Sequence, residues 1–190
     1  MTLAASAIAP GVRANDRTVA AARFPGGSWS QASFPVENFQ AYTSPFGYRK
    51  SPTSGRWSLH RGIDIAAPFG STIRNWWAGE VVGLTNDPLC GTTVRVKSGD
   101  WEHVYCHLRG RVETLGGRTI LHDRQSGSQI FLGQVLPTGA ALGSIGMTGR
   151  TTGPHLHWGL RYGGELVDPA TVLRAMSQQR AAGVPATAVR

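Results

Sequence analysis

The 190-residue sequence lacks any stretch approaching the roughly 18 apolar residues needed to span a membrane, which points to a soluble mature chain. It contains no internal repeat, no zinc-finger or RNA-binding signature, and no Lys/Arg run interleaved with aromatic residues. The helical His-Glu-x-x-His signature of thermolysin-like sites is also missing, so that arrangement of ligands and base does not apply. Cysteine is limited to Cys90 and Cys106, a spacing far from the Cys-x-x-Cys of redox-active pairs. Acidic residues are outnumbered 11 to 19 by Lys and Arg, giving a net charge of +8. That balance admits an anionic partner, but nucleic acid would rest on charge alone and is not expected.

What is present is ordinary for a globular domain: 41% hydrophobic residues, with 25 glycines and 11 prolines spread along the chain as turns. Residues 1–38 mix Ala, Gly, Ser and Pro without a period and read as a flexible lead-in. Within it, Met1 to Ala14 reads equally as the remnant of a secretory leader or as a disordered start. Residues 39–175 form the expected domain, and 176–190 the helix end and tail. Short apolar runs alternate with turn signals such as Ser51-Pro52, Asn86-Asp87-Pro88 and Gly163-Gly164. That pattern predicts a mainly β fold of antiparallel strands and short hairpins. One C-terminal helix is predicted from Pro169 to Arg180, with Val172, Leu173 and Met176 on one face and Asp168 as its cap.

The hairpin at residues 90–108 can be read to its register. With Lys97-Ser98-Gly99 as a three-residue loop, Val96 lies opposite Asp100 and Cys90 opposite Cys106, a separation suited to a disulfide. This register puts Val94, Val96, Val104 and both cysteines on a core face. It puts Thr93, Arg95, His103, Tyr105 and His107 on a polar face.

Two segments carry potential chemistry. In Leu59-His60-Arg61-Gly62-Ile63-Asp64-Ile65, strand alternation sets His60, Gly62 and Asp64 on one face. Alone, such a pair is more often a surface or core accident. In Gly153-Pro154-His155-Leu156-His157-Trp158, alternation places His155 and His157 side by side, where they repel if protonated. A metal or paired catalytic roles would account for them; two exposed histidines is the plainer reading. Together the segments offer imidazoles and a carboxylate, which suit Zn²⁺, and three protein ligands plus water is the pattern of a catalytic zinc site. A third segment, Val104-Tyr105-Cys106-His107-Leu108, gains meaning only beside the other two.

In this order, the three segments resemble the LytM-like, lysostaphin-type zinc endopeptidases of bacterial cell walls. The likeness extends to Ser44-Pro45-Phe46-Gly47-Tyr48-Arg49, Gly146-Met147-Thr148-Gly149 and Val167-Asp168-Pro169, and covers roughly residues 42–174. The resemblance implies that His60, Asp64 and His157 bind Zn²⁺ and that His107 and His155 are catalytic. It implies an antiparallel sheet forming an open groove, with peptidoglycan as substrate at a periplasmic or extracellular site. Residues 109–137 are longer than the family's usual connection, with Thr119–Leu121 and Gln129–Leu132 able to form an added hairpin at the groove rim. The cysteine pair also departs from the simplest members; a Cys90–Cys106 disulfide would fit an oxidising compartment. A binding or regulatory module that has lost its ligands is the rival reading, and the presence of all five site residues weighs against it. His103 is read as a solvated strand histidine and His122 as a surface residue. Trp76-Trp77 is read as core for at least one ring, with stacking on sugars as the alternative.

Overall fold

Some successive strands in this chain are joined by tight turns and pair as antiparallel hairpins, while the main sheet also brings together strands distant in sequence. The computed structural model describes residues 29–52 and 54–183; the leader question at Met1–Ala14 lies outside the described residues. The strands are β1 (Ala41–Ser44), β2 (Gly47–Lys50), β3 (Trp57–His60), β4 (Ile63–Ala66), β5 (Thr72–Arg74), β6 (Gly79–Asp87), β7 (Gly91–Ser98) and β8 (Trp101–Cys106). They continue as β9 (Arg111–Leu115), β10 (Arg118–Asp123), β11 (Ser128–Phe131), β12 (Val135–Leu136), β13 (Ala141–Ser144), β14 (His155–Tyr162) and β15 (Glu165–Val167). Among the described residues the α-helix is α1 (Pro169–Ala182). The main sheet runs β1-β4-β14-β8-β7-β6-β12, with β15 paired to β14. Separate small sheets are β11-β10-β9, β13-β5 and β2-β3. The fold is mainly β and antiparallel with one C-terminal helix, as the sequence pattern indicates.

Period-2 alternation divides the main sheet into two chemically different faces. One face carries Ile63, Ile65, Val94, Val96, Trp101, Tyr105, Leu156, Trp158 and Leu160, all buried. It packs around Trp76, whose ring lies 5.3 Å from Trp101, 5.8 Å from Trp158 and 6.0 Å from Trp29. Both Trp76 and Trp77 are buried, so neither is available to stack on a sugar. Helix α1 closes this core with Val172, Leu173 and Met176. Asp168 caps it by accepting from the Ala170 amide at 2.9 Å, and Pro169 occupies the first turn, where its missing N–H costs nothing.

The structure corrects three of the sequence expectations. The lead-in assigned to residues 1–38 ends earlier, because Trp29, Ala32 and Val36 are buried in the core. A tryptophan buries about 150–250 Å², and that single residue outweighs the loop-like composition around it. The hairpin register is the second correction. Ser98 pairs with Trp101 and Val96 with His103, so the turn is the two residues Gly99-Asp100, with Gly99 at φ 60°. Glycine at the first central position is what a II′ turn demands. The register therefore moves, Tyr105 and His103 turn into the core, and Cys106 lies across from Thr93 on the opposite face rather than beside Val94.

His103 is the third correction: it is fully buried, not solvated. Its Nδ1 and Nε2 lie 2.8 Å from the Tyr105 hydroxyl and the Ser98 hydroxyl. The Trp76 amide donates to the same Tyr105 oxygen at 2.8 Å. Satisfying both ring nitrogens is what allows an imidazole to sit among tryptophans. The long connection holds the expected β10–β11 pairing plus β9, and Leu121 and Ile130 join the core cluster.

Burial lowers the His103 pKa to about 3, below the value of about 6.5 it takes when unfolded. The unfolded chain therefore binds the extra proton, and stability from this group is full above about pH 6.5 and lost as pH falls towards about 3. The slope of that loss reaches about 1.4 kcal/mol per pH unit. His103→Gln keeps a donor and an acceptor but cannot titrate. Urea unfolding in chelator at several pH values is expected to show a shallower acid loss for this variant than for the wild type.

Candidate metal centre

The second face of the main sheet carries the polar chemistry. Antiparallel pairing of β4 with β14 sets Asp64 directly across from His157 and Ala66 across from His155. His155 and His157, two apart on β14, project to the same side as Asp64 while Leu156 and Trp158 fill the core. His60 arrives from a different sheet. It ends β3 in the β2–β3 ribbon, and the chain crosses to β4 through Arg61-Gly62. The single strand expected over Leu59–Ile65 is therefore broken into two, yet His60 and Asp64 still converge, with His60 Nε2 3.1 Å from Asp64 Oδ1.

Gly62 is needed at this crossing, for a reason other than room for an ion. A Cβ there would stand 2.4 Å from the Trp158 carbonyl oxygen and 2.9 Å from His157 Nε2. The glycine lets the crossing backbone lie against β14.

His60 Nε2, His157 Nδ1 and Asp64 Oδ1 form a close triangle: 2.9 Å between the nitrogens, and 3.1 and 2.9 Å from each to the oxygen. His60 Nδ1 donates to the Pro45 carbonyl at 2.7 Å, so its Nε2 faces inward as a bare lone pair. At most one proton, on His157 Nδ1, is available to serve two acceptors. Such a convergence of acceptors is what a cation satisfies, and one carboxylate with two imidazoles fits Zn²⁺. Burial would raise the Asp64 carboxyl, but the hydrogen bond from His157 outweighs that and holds it well below the usual carboxylate range. Burial lowers the His157 pKa against the opposing pull of Asp64.

His107 and His155 flank this triangle, with ring centroids 4.7 Å apart. His107 follows the last residue of β8 and has φ 64°, a left-handed conformation that costs a non-glycine residue about 1–3 kcal/mol. Three hydrogen bonds hold it there. Its amide donates to the Cys90 carbonyl at 2.8 Å, its carbonyl accepts from Gly146 at 3.0 Å, and its Nδ1 donates to the Thr148 carbonyl at 2.8 Å. His155 Nδ1 likewise donates to the Gly153 carbonyl at 2.8 Å, while its Nε2 lies 3.8 Å from Asp64 Oδ1. Burial, opposed by the Thr148 bond and reinforced by His155 and His157, lowers the His107 pKa to about 4. At neutral pH the ring is uncharged, with Nε2 as an acceptor.

All five residues singled out in the sequence thus lie in one cluster, and His103 and His122 lie outside it. His122 pairs with Glu113 at 2.9 Å on β10 and β9. Pro45 and Thr148 hold the His60 and His107 rings through backbone carbonyls, which no side-chain pattern marks in advance. Arg49, 3.4 Å from Asp64 Oδ2, does have a side-chain signature: a cation in the segment preceding the first histidine. Cys90 and Cys106 are free thiols in contact with each other, on the polar side of the sheet beneath His107.

Residues 58–169 match the family described as Peptidase family M23. The DD-carboxypeptidase/endopeptidase Mpg of Neisseria meningitidis is 35% identical over 130 residues, covering 68% of this chain and 26% of that protein. The peptidoglycan DD-endopeptidase ShyC of Vibrio cholerae is 31% identical, covering 71% of this chain and 28% of its own. This chain thus spans about a quarter of the length of those relatives. A crystal structure of a zinc-containing peptidase from Vibrio cholerae superposes with a TM-score of 0.57 at 27% identity, over 75% of this chain and 38% of the other.

Gly62→Ala tests the crossing. The new methyl meets backbone rather than a mobile side chain, so β4 and β14 are expected to part locally. A loss of about 2–4 kcal/mol in urea unfolding and a reduced zinc content by elemental analysis are the expected results.

Proposed function

Because this chain belongs to peptidase family M23, we propose that it is a zinc-dependent endopeptidase that hydrolyses peptide bonds in the stem peptides or cross-links of bacterial peptidoglycan. The observation that carries this reading is the five-residue cluster: a triangle of metal-ligating atoms on His60, Asp64 and His157, flanked by two histidines whose Nδ1 atoms are both committed to backbone carbonyls. Peptidoglycan as substrate is supported by relatives such as ShyC, named as peptidoglycan DD-endopeptidases.

In this reading His60 through Nε2, His157 through Nδ1 and Asp64 through Oδ1 hold the ion. When bound, Zn²⁺ supplies Lewis acidity, activating water for attack and polarising the scissile carbonyl. The protein's own groups handle the protons. Since Nδ1 of both His107 and His155 is a fixed donor, any proton that moves does so at Nε2 of one ring or the other. A neutral His107 with its pKa near 4 is a weak base that, once protonated, gives the proton readily to a leaving amine. The neighbouring imidazole of His155 is free to donate to the developing oxyanion when protonated. Hydrogen bonds to Thr148 and Gly153 orient both rings without competing for these Nε2 atoms.

A periplasmic or extracellular location follows from such a substrate. No helix among the described residues is long and apolar enough to cross a membrane. In an oxidising compartment the contacting thiols of Cys90 and Cys106 would join as a disulfide behind His107. Two substitutions separate the roles. His157→Ala is expected to lose retained zinc, whereas His107→Ala is expected to keep it and lose about 10²- to 10⁴-fold in turnover. Elemental analysis, with release of dye-labelled peptidoglycan with and without chelator, reads both; full activity in either variant sinks the assignment.

A further inference from the structure

We propose that Arg49 is a positioning residue for the metal centre, fixing the Asp64 carboxylate so that only Oδ1 faces the ion. This inference rests on the zinc reading above. Asp64 divides its two oxygens cleanly. Oδ1 meets His60 Nε2 at 3.1 Å and His157 Nδ1 at 2.9 Å, while Oδ2 is met by the Arg49 guanidinium at 3.4 Å. One ribbon supplies both grips. In β2–β3, Gly47 pairs with His60 and Arg49 with Ser58, and alternation puts His60 and Arg49 on the same face of the ribbon. The outer face carries Tyr48 and Trp57, which are exposed. Arg49 and His60 therefore reach a single carboxylate from one rigid unit.

A second observation indicates that the guanidinium is there for that carboxylate. Its Nε is buried and has no hydrogen-bond partner among the described residues, and its side chain is only 20% exposed. An arginine serving the surface would keep these donors in water. Arg49 instead leaves one donor unsatisfied to stay beside Asp64 Oδ2.

The electrostatics make the proposal decidable by sign. A fixed positive charge beside the site opposes a divalent cation, so as a bare charge Arg49 would weaken metal binding. As an orienting partner it strengthens binding, because a ligating carboxylate free to rotate must lose that freedom when the ion enters. The inference is that orientation wins. Arg49→Met removes the charge and the hydrogen bond to Asp64 while keeping much of the stem. Its affinity for Zn²⁺, from competition with a chromophoric chelator, is expected to fall about 10- to 100-fold. The Co²⁺-loaded variant is expected to show altered d–d bands, as Oδ2 becomes free to approach the ion. Unchanged or tighter Zn²⁺ binding with a wild-type Co²⁺ spectrum would overturn the proposal. Circular dichroism and thermal unfolding in EDTA check that the apo variant is folded; if it is not, Arg49→Gln carries the same two measurements with the same criteria. Failure of the wild-type protein itself to bind Zn²⁺ would instead refute the zinc reading, so the two failures are distinguishable.

Discussion

Everything in this molecule that bears on chemistry depends on the antiparallel pairing of β4 with β14. That ladder sets Asp64 opposite His157 and leaves Ile63, Ile65, Leu156 and Trp158 on the other side as core. A slip of one residue would turn the histidines into the tryptophan cluster and the leucine and tryptophan into the site. The burial of Trp158 and Leu156 is therefore what holds His155 and His157 in place. The other edge of β14 pairs with β8, where His157 lies across from Cys106 and so adjacent to His107. One central strand thus delivers two histidines itself, takes Asp64 from β4 and lies beside His107 at the end of β8. Gly62 permits the same closeness for His60, since any side chain there would push the crossing segment away from the Trp158 carbonyl.

Outside that ladder, the site is held by loops that are themselves hydrogen-bonded to strands. Thr148 is the clearest case. Its hydroxyl donates to the Leu108 carbonyl at 2.9 Å and accepts from the Thr92 amide at 2.8 Å, while its carbonyl receives His107 Nδ1. The loop before β14 is thereby tied to β7 and to the end of β8 at once. The left-handed backbone of His107 is tolerable because these bonds over-determine it. It also explains why strand alternation fails for this residue: after Cys106 the chain leaves the pleat, and the ring swings towards His155 instead of following the strand's faces.

The parts of this architecture legible in the sequence were those governed by local period. His155 and His157 share a face because two residues make one pleat, and helix α1 is marked by Asp168-Pro169 followed by Val172, Leu173 and Met176 at helical spacing. The resemblance to cell-wall zinc peptidases, carried by three ordered motifs, pointed to the family. What failed turned on a single residue of geometry or a single large side chain. Counting Lys97-Ser98-Gly99 as a three-residue loop displaced the hairpin register, and with it His103 and Tyr105 were assigned to the wrong face. Trp29, standing in a stretch of glycine and serine, carried no periodic signal, yet it packs against Trp76 and Trp101. The break between His60 and Asp64 left no mark either, since an extended crossing and a continuous strand look alike over five residues.

The physical character of the site follows from how its groups are kept free of protons. Asp64 is held ionised by its two histidine neighbours, and burial disfavours the charged form of His157 and of His107. His60 Nδ1 is taken up by the Pro45 carbonyl, which turns its Nε2 inward. With at most one inward proton, on His157 Nδ1, a cation entering the triangle has few protons to displace. The same burial that depresses these imidazoles would make the unfilled cluster costly if it charged. An acceptor-lined, proton-poor pocket is thus most fully satisfied with a cation in it. In that sense the core behind β14 and the metal chemistry in front of it are one energetic problem: the apolar face holds the register, and the register holds His107 and His157 where burial disfavours their charged forms.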